Sequence, residues 1–408
     1  MDGQYSRTIG FDLGDTYSHV CRLDEAGEVV ERSRVRTRRA EVKERFSGYP
    51  PSRVAIEVGT HSPWVSRLLQ ECGHEVLVAN SSKLRMIYAN AAKSDRVDAE
   101  SLARVARMDP KLLHPIRHRG ESGQAELAVL RGRDALVRTR TTLVNHVRGA
   151  VKSFGERLPK CSADSFGSEA AGRIPKALRE ALRPVVQVIA ELTRKIKAYD
   201  KRVEAMCEKA HPETQRLRQI KGVGPVTSLA FVLTVGDPSR FAKSRSVGSY
   251  LGLTQRRNQS GGWDPELPIT KAGDGHVRRL LVGSAQYMLG PFGEDSDLRR
   301  WGLSLMETGV ARGQKRKRAK KRAVVAVGRK LGVLMHHLWT TGDTYEPLYQ
   351  AKRRVPEVEE VNEAAVLPAA PHPSPQGGEA TARTTGREEK RRGARREAER
   401  PSPVSSPG

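Results

Sequence analysis

The sequence predicts an α/β domain at the N-terminus, a long helical hairpin or coiled coil in the middle, a mostly helical C-terminal domain and a disordered tail. Strand-like and helix-like patterns alternate over residues 6–115, which indicates an α/β domain. Apolar residues recur at heptad spacing over 120–210, which is typical of paired helices. Residues 214–345 form a second, mostly helical pattern, and residues 352–408 carry almost no large apolar side chains.

The first domain contains four strand-like segments and two helix-like segments. The strand-like segments are RTIGFDLG, HVCRLDEAGEVVERSRV, RVAIEVG and HEVLVAN, which are rich in β-branched residues. The helix-like segments are SPWVSRLLQECG and SDRVDAESLARVAR. Gly73 is expected to close the first of these helices, and Ser94 can cap the second.

The middle region carries an apolar seam on each of two predicted helices. The first seam consists of Leu130, Val137, Val144 and Val151, and the second of Val185, Ile189, Leu192, Ile196, Tyr199, Val203 and Met206. Pro184 fits the first turn of the second helix. The pattern allows a coiled coil between chains, which makes a homo-oligomer, and equally a helix pair that packs within one chain.

The charge balance indicates a polyanionic partner. The chain of 408 residues has a formal net charge of +25, and the segment from Ala351 onward holds eleven basic and nine acidic residues. Nearly all of the excess therefore belongs to the predicted domains, where it can form a directed surface. Nucleic acid is the partner that such a surface favours, and a membrane surface is the weaker alternative.

Other features favour an intracellular protein. No apolar run approaches the ~20 residues that span a bilayer, and the N-terminus has no signal-peptide core. The four cysteines are scattered, so their spacing predicts neither a zinc site nor a disulfide framework.

Four acidic residues of the first domain are predicted to converge. Asp12 and Glu57 lie on the opposite face from the apolar residues of two buried strands. Asp95 and Asp98 prolong the apolar face of a helix and are expected to point inward at the sheet. Divalent cations would relieve their repulsion, and Mg²⁺ prefers hard oxygen ligands. Two such ions are the standard device for phosphodiester chemistry, although Asp95 alone also fits the first turn of a helix and Asp12 alone could start a turn with Gly14.

Three segments of the C-terminal domain are candidates for nucleic-acid contact. QIKGVGPVTS at 219–228 resembles a helix-hairpin-helix turn that exposes N–H groups to a phosphate, and a plain helix–helix turn is equally compatible. RGQKRKRAKKR at 312–322 favours phosphate contact over a solvated helix face. RRNQSGGW at 256–263 places Ser260 between two arginines and two glycines, in a pattern that also suits a surface turn.

Together these motifs resemble the DEDD-type insertion-sequence transposases of the IS110 group over roughly residues 6–345. The N-terminal marks are GFDLG, AIEVG and KSDRVDAESLA, and the C-terminal marks are IKGVGPVTS, YLGLTQRRNQSGG and ITKAGDGHVRRLLV. The resemblance implies an RNase H-like (RuvC-like) nuclease domain, a coiled coil and a transposase domain. It implies that Asp12, Glu57, Asp95 and Asp98 bind Mg²⁺ and that Ser260 attacks DNA.

The resemblance also implies a cytoplasmic, nucleoid-associated prokaryotic recombinase. Its partners would be the element and target DNA, a structured guide RNA, and further copies of the chain in a dimer or tetramer. The tail beyond about 352 and the acidic GGWDPELPITK segment depart from the family pattern. The nucleic-acid-binding residues that we predict are Lys221, Gly222, Gly224, Arg256, Arg257, Lys271, Arg278, Arg279, Lys315, Arg316, Lys317 and Arg318.

Three other functions use the same motifs differently. A junction resolvase would cut DNA with the four acids and water, leaving Ser260 idle. An actin-like ATPase or sugar kinase would use GFDLGDT as a phosphate loop, but the chain has no second glycine-rich phosphate loop. A catalytically inactive nucleic-acid-binding protein would keep only the charge.

Overall fold

The computed structural model describes residues 7–80 and 95–350, and it opens with a five-stranded sheet. The strands are β1 (Thr8–Asp12), β2 (Tyr17–Leu23), β3 (Val29–Arg36), β4 (Arg53–Glu57) and β5 (Glu75–Ala79). The sheet order is β3-β2-β1-β4-β5. The first three strands form an antiparallel meander, whereas β4 and β5 run parallel to β1.

Helices cover both faces of this sheet. Helices α1 (Arg39–Ser47) and α2 (Ser62–Glu71) bury Ile9 and Phe11 of β1 on one face. Helix α3 (Asp95–Met108) packs on the other face, directly against β1 and β2. Gly10 permits this close approach, because a Cβ atom there would collide with the α3 backbone.

The middle region is an antiparallel pair of long helices within one chain. Helices α4 (Glu121–Ser153) and α6 (Lys176–Lys209) pack along each other, and the short helix α5 (Phe166–Ala170) lies in their connection. Ile189 is fully buried in the core that α4, α5 and α6 share. The seam therefore already has a partner inside the chain.

Pro184 does not lie in the first turn of its helix, which corrects the sequence interpretation. Helix α6 begins at Lys176, and Pro184 is inside it. The helix starts earlier because Leu178 and Leu182 pack into the same core as Phe166. Burial of these apolar side chains outweighs the one backbone hydrogen bond that a helical proline loses.

The C-terminal region is mostly helical around one large apolar core. Its helices are α7 (Glu213–Arg218), α8 (Pro225–Val235), α9 (Arg245–Tyr250), α10 (Gly275–Met288), α11 (Asp297–Ala311) and α12 (Arg316–Thr341). Helix α8 is buried on nearly every side, because α6, α7, α10 and α4 surround it. Among the described helices, none is long and apolar enough to cross a membrane.

The α/β sheet followed by a helical region is therefore confirmed, and HVCRLDEAGEVVERSRV proves to be two strands rather than one. Helix α1 was not predicted, since its sequence RAEVKERFS offers only Val42 and Phe46 as buried apolar residues. The predicted cap Ser94 and the predicted disordered tail lie outside the described residues.

Candidate functional site

Two of the four predicted acidic residues stand side by side at one edge of the sheet. Phe11 of β1 pairs with Ile56 of β4 in parallel register. The next residues, Asp12 and Glu57, therefore end neighbouring strands at the same level. Both alternate with the apolar side chains and so share the face that α3 covers.

The first turn of α3 supplies the other two acidic residues. Asp98 is only 8% exposed and faces the sheet, as predicted. Asp95 differs from the prediction: its side chain is 72% exposed, and a carboxylate oxygen lies 3.8 Å from Nε2 of His19. Asp95 opens the described part of α3, and no other described element covers its side chain.

The acidic side chains do not form a closed ligand set. In the part of the chain that the structure describes, no three His, Cys, Asp or Glu side chains are grouped closely enough to hold a metal ion. The backbone nevertheless brings four hard oxygen donors to one edge of the sheet, which is the chemistry that Mg²⁺ prefers. The chemistry of these carboxylates suits a divalent cation, and Asp95 is the exposed member of the four.

Basic residues that the sequence analysis missed lie beside these acids. His19 on β2 is the cross-strand partner of Asp12 on β1, and Arg34 on β3 is the cross-strand partner of His19. Arg32 pairs with Cys21 in the same register and shares that face. The alternation RSRVR in β3 was the available signal, because every second residue of a strand points to one face.

Ser260 lies at the tip of a hairpin-like arm between α9 and α10. Gln255 bridges Ile269, and Ser260 bridges Trp263. The backbone N–H groups of Ser260 and Trp263 each donate to the other's carbonyl oxygen, at 3.2 and 3.1 Å. Gly261 occupies the turn with a φ of 55°, a conformation that glycine adopts readily. The arm therefore presents Ser260 to solvent on a tight two-residue turn.

The base of the arm is held firmly against α10. Gly273 approaches the Tyr250 backbone so closely that a Cβ atom would collide with it. The guanidinium of Arg278 donates to the carbonyl oxygens of Leu251 and Ala272, at 3.0 and 2.8 Å. Arg278, predicted to contact nucleic acid, thus already holds the two sides of the arm together.

Side-chain contacts also engage other predicted nucleic-acid-binding residues. Arg279 donates to Asp134 of α4 at 2.7 Å, and Lys221 lies 3.2 Å from Glu294. Lys271 adopts a φ of 56°, which costs a non-glycine residue about 1–2 kcal/mol. A phosphate would have to compete with these carboxylates for Arg279 and Lys221. Lys271 lies on a strained backbone.

Two further predicted residues lie in the turn between α7 and α8. Gly222 has a φ of 94° and packs against Tyr287, and Gly224 caps the helix that Pro225 opens. The geometry matches the predicted helix, Gly-x-Gly turn and helix. Together with α10, the turn lines an open groove of about 560 Å³.

In the described part of the chain, a dense positive surface lies at the N-cap and on the first turns of α12. Its exposed side chains are Lys315, Arg316, Lys317, Arg318, Lys320, Lys321 and Arg322. Arg322 donates to Glu266 of the serine arm at 2.8 Å, and this hydrogen bond lowers the pKa of Glu266. The N-terminus of a helix carries a partial positive charge that repels these basic side chains. A bound anion would relieve this repulsion, so the surface suits an external anion.

Comparison with known proteins agrees with the motifs. Residues 9–155 match the DEDD transposase domain of IS110, and residues 214–293 match the model described as Transposase IS116/IS110/IS902 family. The chain is 27% identical to a transposase for insertion sequence element IS1111A of Coxiella burnetii, over 83% of this chain and 91% of that protein. It is 28% identical to a probable family 20 transposase of Pseudomonas aeruginosa, over 73% and 89%.

A third relative is the transposase for insertion sequence element IS1328 of Yersinia enterocolitica, with 29% identity over 68% of this chain and 82% of that protein. The two matched regions together span more than half of the chain, and they hold the four acids and the serine arm, respectively. The chain belongs to the IS110/IS116 family of insertion-sequence transposases.

Proposed function

We propose that this transposase excises and inserts its element by divalent-metal-dependent cleavage of DNA and rejoins the strands through Ser260. One observation carries the proposal. Asp12 and Glu57 end adjacent parallel strands on the face where α3 buries Asp98. The strand order, with an antiparallel meander followed by two parallel strands, supports an RNase H-like (RuvC-like) nuclease domain.

Asp12, Glu57, Asp95 and Asp98 are the residues that would hold Mg²⁺. When bound, the cation supplies a positive charge that polarises the phosphodiester oxygens. The chain contributes the carboxylates and their common face, and Asp95 is the one whose side chain has to turn toward the others. In the free protein, a carboxylate oxygen of Asp95 lies 3.8 Å from Nε2 of His19.

Ser260 is the proposed nucleophile because it is exposed at the tip of an arm flanked by exposed Arg256 and Arg257. In the cleavage step, a bond forms between the Ser260 Oγ and phosphorus, and one phosphorus–oxygen bond of the DNA breaks. The serine proton leaves, and the departing sugar oxygen takes up a proton. Rejoining is the same exchange with a sugar hydroxyl as the nucleophile, so the phosphate ester conserves the bond energy.

The partners follow from the family and from the charge. Transposases act on DNA, and the excess of positive charge suits DNA and a structured guide RNA transcribed from the element. We also propose that the acidic site of one protomer acts with the serine arm of another. In such a dimer or tetramer, the acidic site and the serine arm would meet only when the protomers assemble on the nucleic acid.

The test is covalent capture. Protein is incubated with labelled, nicked target DNA, Mg²⁺ and the element's non-coding RNA, and then denatured. The wild type should carry DNA on Ser260, and Ser260→Ala should carry none while still binding DNA. Ser246→Ala, which changes an exposed serine of α9, serves as the control. Normal recombination by Ser260→Ala would contradict the serine mechanism and favour a resolvase that uses water.

A further inference from the structure

A basic pocket adjoins the acidic site, and neither the family nor the motifs assign it a role. The pocket, about 260 Å³ in volume, lies between β2, β3 and the start of α3. Its lining residues are His19, Val20, Arg32, Ser33, Arg34 and Arg96. The strand register puts His19 next to Asp12 and Arg34 next to His19, so the pocket continues the acidic face outward across the sheet.

The arginines of the pocket differ in how they are paired. Arg32 donates to Glu100 at 2.7 Å, which fixes its direction. The guanidinium of Arg34 lies 4.8 Å from the Tyr17 ring centre. Among the described residues, Arg34 and Arg96 have no carboxylate within ion-pair distance. Positive charges gathered in a concave surface repel each other unless an anion enters, and guanidinium groups bind phosphate oxygens in pairs.

We propose that this pocket binds a backbone phosphate of the DNA strand, next to the phosphodiester that the acidic residues act on. The inference rests on the proposed nuclease function, because the strand that contacts the pocket is the one that the acidic residues would cut. Arg34 and Arg96 bind the phosphate. Arg32 lines the pocket, and its hydrogen bond to Glu100 fixes the orientation of its guanidinium. The strand then crosses the sheet from β3 toward β1, passing from a basic to an acidic surface.

The experiment measures binding of a labelled DNA strand without divalent metal, over a range of salt concentrations. The double variant Arg34→Ala/Arg96→Ala should lower the affinity ~10-fold or more and reduce the slope of log affinity against log salt by about 1–2. Arg38→Ala, an exposed arginine outside the pocket, should leave the slope unchanged. Arg34→Lys keeps the charge without the paired donors and should fall between wild type and Arg34→Ala.

Three results separate the outcomes. An unchanged slope in the double variant would overturn the pocket. A slope that falls for RNA but not for DNA would overturn the assignment to the DNA strand. Asp98→Asn should bind DNA with the wild-type slope but not cut it. If Asp98→Asn cuts normally, the nuclease function fails, whatever the arginine variants do.

The serine arm carries a second, independent feature. Ser260 and Trp263 form a hydrogen-bonded antiparallel pair, so their side chains project from the same face, with Cα atoms roughly 5.5 Å apart. The indole of Trp263 is 59% exposed at the very tip of the arm. A large aromatic ring thus stands in water beside the hydroxyl that is proposed to bond to phosphorus.

We infer that Trp263 stacks on the nucleobase next to the phosphate that Ser260 attacks. A free DNA end or an unpaired base offers a π-face to such a ring, and stacking tolerates any sequence. Arg256 and Arg257, exposed on the same arm, supply the matching positive charge. Trp263 is a positioning residue here: it fixes the strand, while Ser260 reacts.

The test uses 2-aminopurine at the base flanking the nick, because its fluorescence reports stacking. Wild type and Ser260→Ala should both change that fluorescence on binding, whereas Trp263→Leu should not. Covalent capture should slow ~10-fold or more in Trp263→Leu and recover in Trp263→Phe, which keeps an aromatic face.

Equal behaviour of Trp263→Leu and the wild type in both assays would overturn the stacking. Equal recovery by leucine and phenylalanine would mean that the residue acts as an apolar wedge instead. A failure of the serine mechanism is seen separately, as covalent capture that survives Ser260→Ala.

Discussion

Asp98 is the most buried of the four acidic residues that we propose to hold the metal. It is buried against the sheet, near the strand ends that carry Asp12 and Glu57. Asp98→Asn should reduce covalent capture ~100-fold or more, beyond the ~10–100-fold typical of residues that support metal ligands from outside. The metal-free protein should keep its thermal midpoint, because the substitution removes a buried negative charge, and the stabilisation by Mg²⁺ should shrink.

The matched control is Glu44→Gln, which neutralises an exposed carboxylate on α1, on the opposite face of the sheet. Calorimetry with and without Mg²⁺ measures the stabilisation, and denaturing gels measure the capture. Full activity of Asp98→Asn would contradict the assignment of the four acids.

Asp274 makes a pH-dependent contribution at the base of the serine arm. Burial raises its pKa, but the hydrogen bonds from the Val277 and His276 N–H groups and the charge of Arg131 outweigh burial, and the net pKa is lowered. A carboxyl whose pKa is lower in the folded state stabilises the protein above its unfolded pKa and loses that contribution as pH falls through the folded value.

We therefore expect Asp274→Ala to lower the free energy of unfolding by about 1 kcal/mol near neutral pH, as for other helix caps. The difference from wild type should begin to shrink below about pH 4, where this carboxyl takes up a proton in the unfolded chain, and should go on shrinking as the pH falls through the lower pKa of the folded state. Thermal unfolding at several pH values measures it, and Asp274→Asn keeps a capping oxygen without the charge. A difference that is constant with pH would contradict the charge contribution.

At the scale of elements, the paired helices α4 and α6 bury the seam that could have joined two chains. Ile189→Asp should destabilise the protein by more than ~3 kcal/mol, because it places a charge without a partner in an apolar core. Val188→Asp, one residue earlier and exposed, should have little effect. Light scattering of Val188→Asp should also keep the wild-type mass. A lower mass without loss of stability in Ile189→Asp would mean that the seam joins two chains.

The elements also show how far the sequence determines the fold. The buried strands β1 and β4 and the amphipathic α3 were predictable, because their apolar periodicity directly reflects burial. The start of α6 was not, since Leu182 and the half-buried Leu178 pack into a core that α4 and α5 also line, and this contact does not show in the sequence of α6 alone. Likewise, the basic pocket depends on the register of β2 with β3, which places His19 beside Arg34 and is invisible in a single chain segment.

At the scale of the whole molecule, the positive charge is unevenly distributed. The first turns of α12 gather seven exposed basic residues, and the arm that carries Ser260 is tied to them by the Arg322–Glu266 pair. The tail from Ala351 holds nearly balanced charges. We therefore expect nucleic acid that contacts the start of α12 to lie near the serine arm.

This arrangement predicts that position, not total charge, determines affinity for nucleic acid. Replacing Lys315, Arg316, Lys317 and Arg318 with glutamine should weaken binding and lower the salt slope by about 0.9 for each phosphate that the protein no longer neutralises. Replacing Arg391, Arg392, Arg395 and Arg396 of the tail removes the same charge and should leave the slope nearly unchanged. Fluorescence anisotropy with DNA and with the proposed guide RNA measures both slopes. Equal reductions in the two variants would mean that net charge alone draws nucleic acid to this protein, and the α12 surface would then have no special role.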